Sequence, residues 1–231
     1  MFCFPYAGGN ASFFDAIEKE LVGFELVKTE YPGHGARHRE EFCREFGELA
    51  DDMYASFNRQ YSGGSYALFG YSMGAIAAVE VLKRILERKE YGRPGHVFLA
   101  AHEPHSHAEL AGCADIGLDE WVKQRTISFG AIPEKLVDNK SFWRMYLPVY
   151  RADYSLIRRY RFEEIGLNTS VPATVFYSET DTPRREMELW SRYFVGDCDY
   201  REFEGGHFFI CEHYKEIAAI ISNKMQQGNL S

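Results

Sequence analysis

The fold is decided by the stretch YALFGYSMGAIAAV, residues 66–79. Its first part, Tyr66–Phe69, is apolar and aromatic, which is typical of a buried strand. Two glycines then enclose Ser72, and the run that follows, Gly74–Lys89, has apolar residues at helical spacing. A strand, a tight turn that carries a serine and a helix form the setting of a nucleophile elbow, which exposes the serine hydroxyl for attack. We therefore predict Ser72 as a catalytic nucleophile.

The same alternation of strands and helices continues towards both ends of the chain. Short apolar runs predict further strands at 1–5, Phe24–Tyr31, His96–Ala101, Ala173–Ser178 and Asp199–Phe203. Helical spacing predicts a helix that ends near Leu21 and others over 45–61, Arg184–Tyr193 and Tyr214–Met225. This order predicts an α/β fold, with a mostly parallel sheet flanked by helices.

The segment of about 105–166 interrupts this alternation. It holds no good strand pattern, whereas helical stretches occur at Leu118–Gln124 and Lys140–Tyr150. We predict a helical lid that is inserted into one α/β-hydrolase domain spanning residues 1–231, rather than a second domain.

A serine hydroxyl is a poor nucleophile unless a base takes its proton. In α/β-hydrolases the order along the chain is serine, acid, histidine, so the base should follow the last strand. His207 follows that strand through the turn Gly205-Gly206 and is predicted as the base. His213, which lies further along towards the closing helix, is the weaker candidate.

The acid should lie at the carboxyl end of the preceding strand, where it can orient the imidazole and stabilise its protonated form. Asp181, in the sequence SETDTP at residues 178–183, has this position and is predicted as the acid. Glu179 is the nearby alternative. A purely structural alternative is that Asp181 only caps a helix that begins near Pro183.

An acyl-transfer site also needs two backbone N–H groups that stabilise the oxyanion, each of which contributes about 3 kcal/mol in the transition state. One should come from Met73, the residue after the nucleophile. The other should come from the loop after the first strand, Tyr6-Ala7-Gly8-Gly9, because its glycines let the backbone approach a substrate closely.

The composition argues against several other classes of protein. The net charge of −8 disfavours a nucleic-acid partner, since phosphate binding needs a basic face. The five cysteines lack CxxC spacing, which disfavours a disulfide framework or a zinc site and favours a reducing cytoplasm. No stretch approaches 18 apolar residues, so no membrane span is predicted. The proposed chemistry requires no metal and no redox cofactor.

Two groups of histidines are discounted as sites. One resembles a metal cluster and consists of His102, Glu103, His105 and His107. Pro104 interrupts the spacing that a metal-binding helix needs, so a loop at the mouth of the active site is favoured. In the other group, His34 and His38 flank Arg37 in a loop and are expected to be solvated.

Five segments form a more specific set of motifs than the serine turn alone. They are FCFPYAGG (2–9), YPGHGAR (31–37), FGYSMGA (69–75), LPVYRADY (147–154) and FEGGHFF (203–209). With these segments the chain resembles, over essentially its whole length, the type II thioesterases of nonribosomal peptide and polyketide synthesis. A generic esterase would share the serine motif but not the first and fourth segments.

The resemblance implies a triad of Ser72, Asp181 and His207, with the Ala7 and Met73 amides as the oxyanion hole. It implies hydrolysis of misprimed or stalled acyl groups from the phosphopantetheine arms of acyl or peptidyl carrier proteins. The substrate itself carries the phosphopantetheine, so no cofactor is expected. We expect a cytoplasmic monomer that binds its carriers transiently.

A carrier-docking face is predicted in the lid. The segment Lys140–Arg161 sets one acid, Asp153, against six basic residues, which are Lys140, Arg144, Arg151, Arg158, Arg159 and Arg161. Carrier proteins are usually acidic, although a solvated helix surface is the equal alternative. Alternative functions are a general carboxylesterase or lipase-like hydrolase of small esters, a non-catalytic binding module, and acyl transfer to an acceptor other than water.

Overall fold

The computed structural model describes residues 1–105, 117–130 and 132–228 and contains a six-stranded parallel sheet. Its order is β2-β1-β3-β4-β5-β6. The strands are β1 (Phe2–Phe4), β2 (Val27–Lys28), β3 (Ala67–Tyr71), β4 (His96–Ala100), β5 (Ala173–Tyr177) and β6 (Cys198–Glu202). The prediction of a mostly parallel sheet is confirmed.

Helices connect the strands and cover both faces of the sheet. They are α1 (Asp15–Glu18), α2 (Phe46–Gln60), α3 (Met73–Arg88), α4 (Leu118–Ser128), α5 (Glu134–Val137), α6 (Lys140–Arg159), α7 (Arg184–Met187) and α8 (Ile210–Gly228). Short 3₁₀ helices lie at Ala11–Phe14, Gly35–Arg37, Phe162–Glu164 and Glu188–Arg192.

The alternation of side chains along each strand divides the core into two layers. Leu68 and Leu99 pack with α2 and α3 on one face, whereas Phe69 and Phe98 pack with α1 and α8 on the other. All four side chains are fully buried. Burial on both faces explains why the central strands are continuous apolar runs in the sequence.

The connection between β4 and β5 carries α4, α5 and α6, which form a small core of their own. The buried members of this core are Val122, Ile132, Trp143, Tyr150 and Tyr154. This is the segment predicted as an inserted lid, and its first part, 106–116, lies outside the described residues. A separate small core is what allows a helical insertion to sit over the sheet edge without extending the sheet.

Three predicted elements are wrong in extent. The strand predicted over Phe24–Tyr31 pairs only at Val27–Lys28, because its single neighbour β1 is three residues long. The helix predicted over Arg184–Tyr193 is instead α7 followed by the 3₁₀ helix Glu188–Arg192. Conversely, α6 runs nine residues beyond its predicted end at Tyr150, to Arg159, and it contains Pro148.

Within the described part of the chain, no helix combines the length and the apolarity that are needed to cross a membrane.

Candidate active site

Ser72 lies on a strained turn between β3 and α3. Its φ of 54° and ψ of −121° are unusual for a residue with a side chain, and its N–H donates to the Ala100 carbonyl at 2.8 Å. A Cβ at Gly70 would overlap the Gly74 carbonyl, and a Cβ at Gly74 would overlap the Phe4 carbonyl. Only glycine fits at both positions, which explains the spacing of the motif.

Three residues that are distant in sequence are hydrogen-bonded in series at this turn. The Nε2 atom of His207 lies 3.0 Å from the Oγ of Ser72. The Nδ1 atom of His207 lies 3.0 Å and 2.9 Å from the two carboxylate oxygens of Asp181. The structure therefore brings together the serine, the base and the acid that the sequence predicts, within hydrogen-bonding distance of one another.

The loops that carry the acid and the base are fixed to each other by hydroxyl groups. Thr180 donates to the Gly205 carbonyl at 2.6 Å, and Ser178 donates to the same carbonyl. The Tyr71 hydroxyl, which precedes the serine, donates to the carbonyl of His207 at 2.5 Å. Burial raises the pKa of Tyr71 well above its usual value, so this hydroxyl remains a donor.

The alternative acid and base lie elsewhere. The Nε2 atom of His213 lies 3.1 Å from the Glu204 carbonyl, at a kink in α8. The carboxylate of Glu179 is exposed and accepts the N–H of Arg184 at 3.0 Å, at the start of α7. Glu179 thus performs the capping role that the structural alternative assigned to Asp181.

The two predicted oxyanion donors are the amide of Met73, the next residue after the serine, and the amide of Ala7, in the loop after β1. Met73 is the first residue of α3, whose N-terminal amides favour developing negative charge. Ala7 lies in a turn closed by the Gly9 N–H, which donates to the Tyr6 carbonyl at 2.9 Å. Ala7 and Ser72 line the same cavity. Both residues therefore lie near the serine, as the predicted oxyanion hole requires.

The cavity above Ser72 has a volume of about 330 Å³. The sheet edge supplies the serine and histidine, and the lid supplies aromatic side chains, including Trp121, Tyr150 and Tyr154. Ser72 is 9% exposed and His207 is 7% exposed, so the lid and loops shield both from bulk water. Low exposure strengthens the electrostatic interactions within the site.

Sequence reasoning missed Phe129, at the end of α4. Its ring stacks on the imidazole of His207 with centroids 4.0 Å apart and planes at 25°. The guanidinium of Arg125 lies 4.4 Å from the centroid of the Phe129 ring. Nothing in the local sequence marks Phe129, because the contact depends on how the lid packs over the sheet.

Two expectations for charged residues in this region are wrong. The sequence predicts a solvated His34, which is 3% exposed, and places Asp153 on an exposed face, although it is 2% exposed. They form a buried pair with Nε2 2.8 Å from Oδ2. A usable signal was present, because Asp153 lies beside Tyr150 and Tyr154 on the aromatic side of a helical pattern. A polar residue on that side is expected to be buried with a partner.

The discounted histidine cluster does not form a ligand set in the part of the chain that is described. There, no group of three or more histidine, cysteine or carboxylate side chains is placed to hold a metal. The Nδ1 atom of His102 lies 2.6 Å from the Glu103 carbonyl. His107 lies outside the described residues.

The fold and the site define the class of protein, which is an α/β-hydrolase with a serine, histidine and aspartate in hydrogen-bonded series. Comparison with known families makes this more specific. A family model described as a thioesterase domain matches residues 1–225, so the chain belongs to the thioesterase family. The prediction of a thioester hydrolase is confirmed.

Individual relatives of the chain are thioesterases as well. The chain is 29% identical to the thioesterase PikA5 of Streptomyces venezuelae, over 96% of this chain and 79% of the relative. It is 25% identical to the medium-chain S-acyl fatty acid synthase thioesterase of Rattus norvegicus, over 91% of this chain and 81% of the relative. The solved structure of the type II thioesterase BorB, from the borrelidin biosynthetic cluster, superimposes with a TM-score of 0.84 at 26% identity, over 97% of this chain and 91% of that chain.

Proposed function

We propose that this protein hydrolyses misprimed or stalled acyl groups from the phosphopantetheine arms of carrier proteins, with Ser72, His207 and Asp181 as catalytic triad. The observation that carries the proposal is the hydrogen-bonded series from Asp181 to Ser72 at the base of a lid-covered cavity. Such a series activates a serine for acyl transfer. Membership of the thioesterase family selects a thioester as the bond that is cleaved.

The proposed reaction has two steps. The Nε2 atom of His207 takes the proton of Ser72 while Oγ attacks the thioester carbonyl, and the thiolate leaves with that proton as a thiol. His207 then takes a proton from water, which attacks the acyl-serine ester. The free acid leaves and Ser72 regains its proton. Both steps use only side chains and water, so we propose that neither a metal nor another cofactor takes part.

Two charges develop in each step, a positive charge on His207 and a negative charge on the oxyanion, and different groups stabilise them. The Asp181 carboxylate, at 2.9 Å from Nδ1, stabilises the imidazolium that forms when His207 accepts a proton. The Ala7 and Met73 amides stabilise the oxyanion, and each contributes about 3 kcal/mol. The position of Met73 at the N-terminus of the 16-residue helix α3 adds to this stabilisation.

A carrier-bound substrate is favoured by the relatives and by the shape of the site. The relative BorB is a type II thioesterase of a biosynthetic cluster, and the rat relative is a thioesterase of fatty acid synthase. The site lies at the base of a lined cavity rather than on an open surface. A substrate at the end of a long, thin arm suits such a cavity.

We propose as the carrier-docking face a basic stripe on α6 that consists of Lys140, Arg144, Arg151 and Arg158. These residues follow one another by four, seven and seven positions, which places them on one side of the helix. The stripe ends at Arg158, which lines the cavity, and Arg151 forms an ion pair with Asp119 at 3.0 Å. The chain carries a net charge of −8, so attraction of an acidic carrier has to be local.

Charge reversal tests this face. The double variant Lys140→Glu, Arg144→Glu should raise KM for an acylated carrier and leave KM for a small thioester unchanged. The matched control reverses two exposed lysines outside the stripe, Lys19→Glu and Lys215→Glu. Equal effects of the stripe variant on both substrates would exclude docking at the stripe.

Intact mass spectrometry of loaded carriers tests the function as a whole. Carriers that bear several different acyl groups are incubated with the protein, and loss of the acyl mass with regeneration of the free phosphopantetheine thiol is expected. A general esterase would instead prefer simple oxygen esters. An acyltransferase would release the acyl group bound to another acceptor rather than as a free acid, and a binding module would change nothing.

We also propose that the protein acts as a cytoplasmic monomer that meets its carriers transiently, because one chain supplies all five proposed site residues. Light scattering during gel filtration should give the mass of one chain, and addition of an acylated carrier should not produce a long-lived complex.

A further inference from the structure

Asp153 and His34 form a second histidine–carboxylate pair that the proposed mechanism does not use. Both are almost fully buried, with 2% and 3% of their surfaces exposed. Two buried ionisable groups are costly unless each hydrogen bond is satisfied. The contacts of the pair therefore indicate what it does.

The contacts define the charge of the pair. The Nε2 atom of His34 lies 2.8 Å from the Asp153 carboxylate, and its Nδ1 atom lies 3.0 Å from the Pro32 carbonyl. Both nitrogens face acceptors, so both carry a proton and the ring is positively charged. Burial opposes this charge, but the Asp153 carboxylate, the Pro32 carbonyl and the charge of Glu30 together outweigh burial, and the pKa of His34 is raised. The pair is a buried ion pair between the 31–37 loop and helix α6.

A third group completes the cluster and connects it to the active site. The N–H of Gly8 donates to the Oδ2 of Asp153 at 2.6 Å, across 145 positions of sequence. Oδ2 is the same oxygen that His34 contacts. Gly8 follows Ala7, whose amide is the proposed oxyanion donor, so the carboxylate of a lid helix holds the loop that shapes the oxyanion hole.

A neighbouring side chain of the same helix restrains the same glycine. Gly8 has a φ of 77°, and a Cβ there would overlap the ring of Tyr150, which lies one helical turn before Asp153. The Gly9 N–H closes the turn on the Tyr6 carbonyl at 2.9 Å. The 6–9 loop is thus held in place by a ring on one side of Gly8, a carboxylate on its amide and a turn within the loop. Ala7, whose amide is the proposed oxyanion donor, belongs to this restrained loop and lines the cavity together with Ser72.

We infer that Asp153 is a positioning residue, whose carboxylate, held by His34, fixes the Gly8 amide so that the neighbouring Ala7 N–H is aimed at the oxyanion. The inference rests on the proposed function. It makes the packing of α6 against the 6–9 loop a condition for an intact oxyanion hole. A misplacement of about 1 Å in such a site is enough to lower a rate about 100-fold.

The test compares variants on a small acyl thioester, so that carrier docking does not contribute. Asp153→Ala removes the acceptor for both Gly8 and His34. Asp153→Asn has the same shape and keeps an acceptor oxygen, but it loses the charge that keeps His34 protonated. The control is Asp119→Asn, which breaks an exposed ion pair of the lid, between α4 and Arg151 of α6.

Two readouts separate positioning from simple loss of stability. The first is the division between kcat and KM, because an oxyanion donor acts in the transition state. The second is the inhibition constant of a trifluoromethyl ketone that carries the same acyl group, since its adduct with Ser72 places an oxyanion in the hole. Circular dichroism and Tm establish that the assayed protein is folded.

We expect Asp153→Ala to lower kcat about 100-fold with little change in KM, and to weaken the ketone by the same factor. Asp153→Asn should lower kcat about tenfold, and Asp119→Asn should match the wild type. A folded Asp153 variant with the wild-type kcat, or with only KM raised, would overturn the inference. If Asp153→Ala does not fold, the Asn variant decides alone. An inactive wild type would instead contradict the proposed function, since this inference requires an active parent.

Discussion

The molecule contains two histidine–aspartate pairs that are alike in geometry and different in surroundings. In one, Nδ1 of His207 lies 2.9 Å from Asp181 and Nε2 lies 3.0 Å from the Ser72 hydroxyl. In the other, Nε2 of His34 lies 2.8 Å from Asp153 and Nδ1 lies 3.0 Å from a backbone carbonyl. The first pair lines the cavity with Ser72, whereas the second is buried between helix α6 and the 31–37 loop.

The difference lies in what the second nitrogen of each histidine faces. A serine hydroxyl can give up a proton, so His207 can act as a base. A carbonyl can only accept a hydrogen bond, so the protonated His34 ring serves as the cation of an ion pair and not as a base. In the proposed function, the same two kinds of side chain therefore make a proton relay in one place and a structural ion pair in the other.

The largest effect is expected from the nucleophile itself. Ser72→Ala should lower kcat for an acyl thioester by about 10⁶, because no other group can form the acyl-enzyme. The measurement is steady-state hydrolysis followed by release of the thiol. Retention of most of the activity would mean that the proposed relay is not the catalytic pair.

The second-largest loss of activity is expected from substitution of Asp181, the proposed acid of the first pair. Asp181→Asn should lower kcat by about 10⁴, since the amide disfavours the imidazolium and the correct tautomer of His207. Glu179→Gln is the matched control, because that carboxylate caps α7 with its contact to Arg184. A larger loss from Glu179→Gln than from Asp181→Asn would reverse the assignment of the acid.

The second pair should contribute mainly to stability when it is measured by unfolding. Asp153→Ala should lower the free energy of unfolding by about 3–5 kcal/mol, because it leaves a buried cation without a partner. The pKa of His34 is raised in the folded state, so the stability that the pair contributes is complete below pH 6.5 and is lost as the pH rises through the folded pKa. Urea unfolding at several pH values should show a larger loss at pH 6 than at pH 9.

His96 is a third buried histidine to compare with His34 and His207, because its ring contacts a hydroxyl instead of a carboxylate. Its Nε2 atom lies 2.8 Å from the Oγ1 of Thr174, and burial lowers its pKa to about 4. The unfolded chain therefore binds the extra proton first, and stability falls as the pH drops from 6.5 to 4, by at most about 1.4 kcal/mol per pH unit. The variant His96→Gln should show a shallower dependence in this window, and an unchanged slope would contradict the assignment to His96.

The sequence alone is enough to predict the site residues that follow the ends of strands. Ser72, Asp181 and His207 each follow a strand of a parallel sheet, and such strands end at one edge. The two glycines around Ser72 are explained by the turn itself, because the backbone there leaves no room for a Cβ.

Other features depend on how distant segments pack, and no local pattern encodes them. The Asp153–His34 contact joins residues 119 positions apart, and Phe129 reaches His207 only through the packing of the lid. The short β2 depends on the length of its partner, since an edge strand can pair only along β1. The sequence shows that one side of α6 is aromatic, but it does not show which residues that side contacts.

The most direct test of the central claim is to trap the acyl-enzyme. An acylated carrier is mixed with the protein, quenched with acid within milliseconds to seconds, and the protein is digested and measured by mass spectrometry. We predict that the peptide that contains Ser72 gains the mass of the acyl group less one hydrogen, and that this species decays as free acid appears. An acyl group found on any other residue, or free acid released at full rate with Ser72 never acylated, would contradict the account.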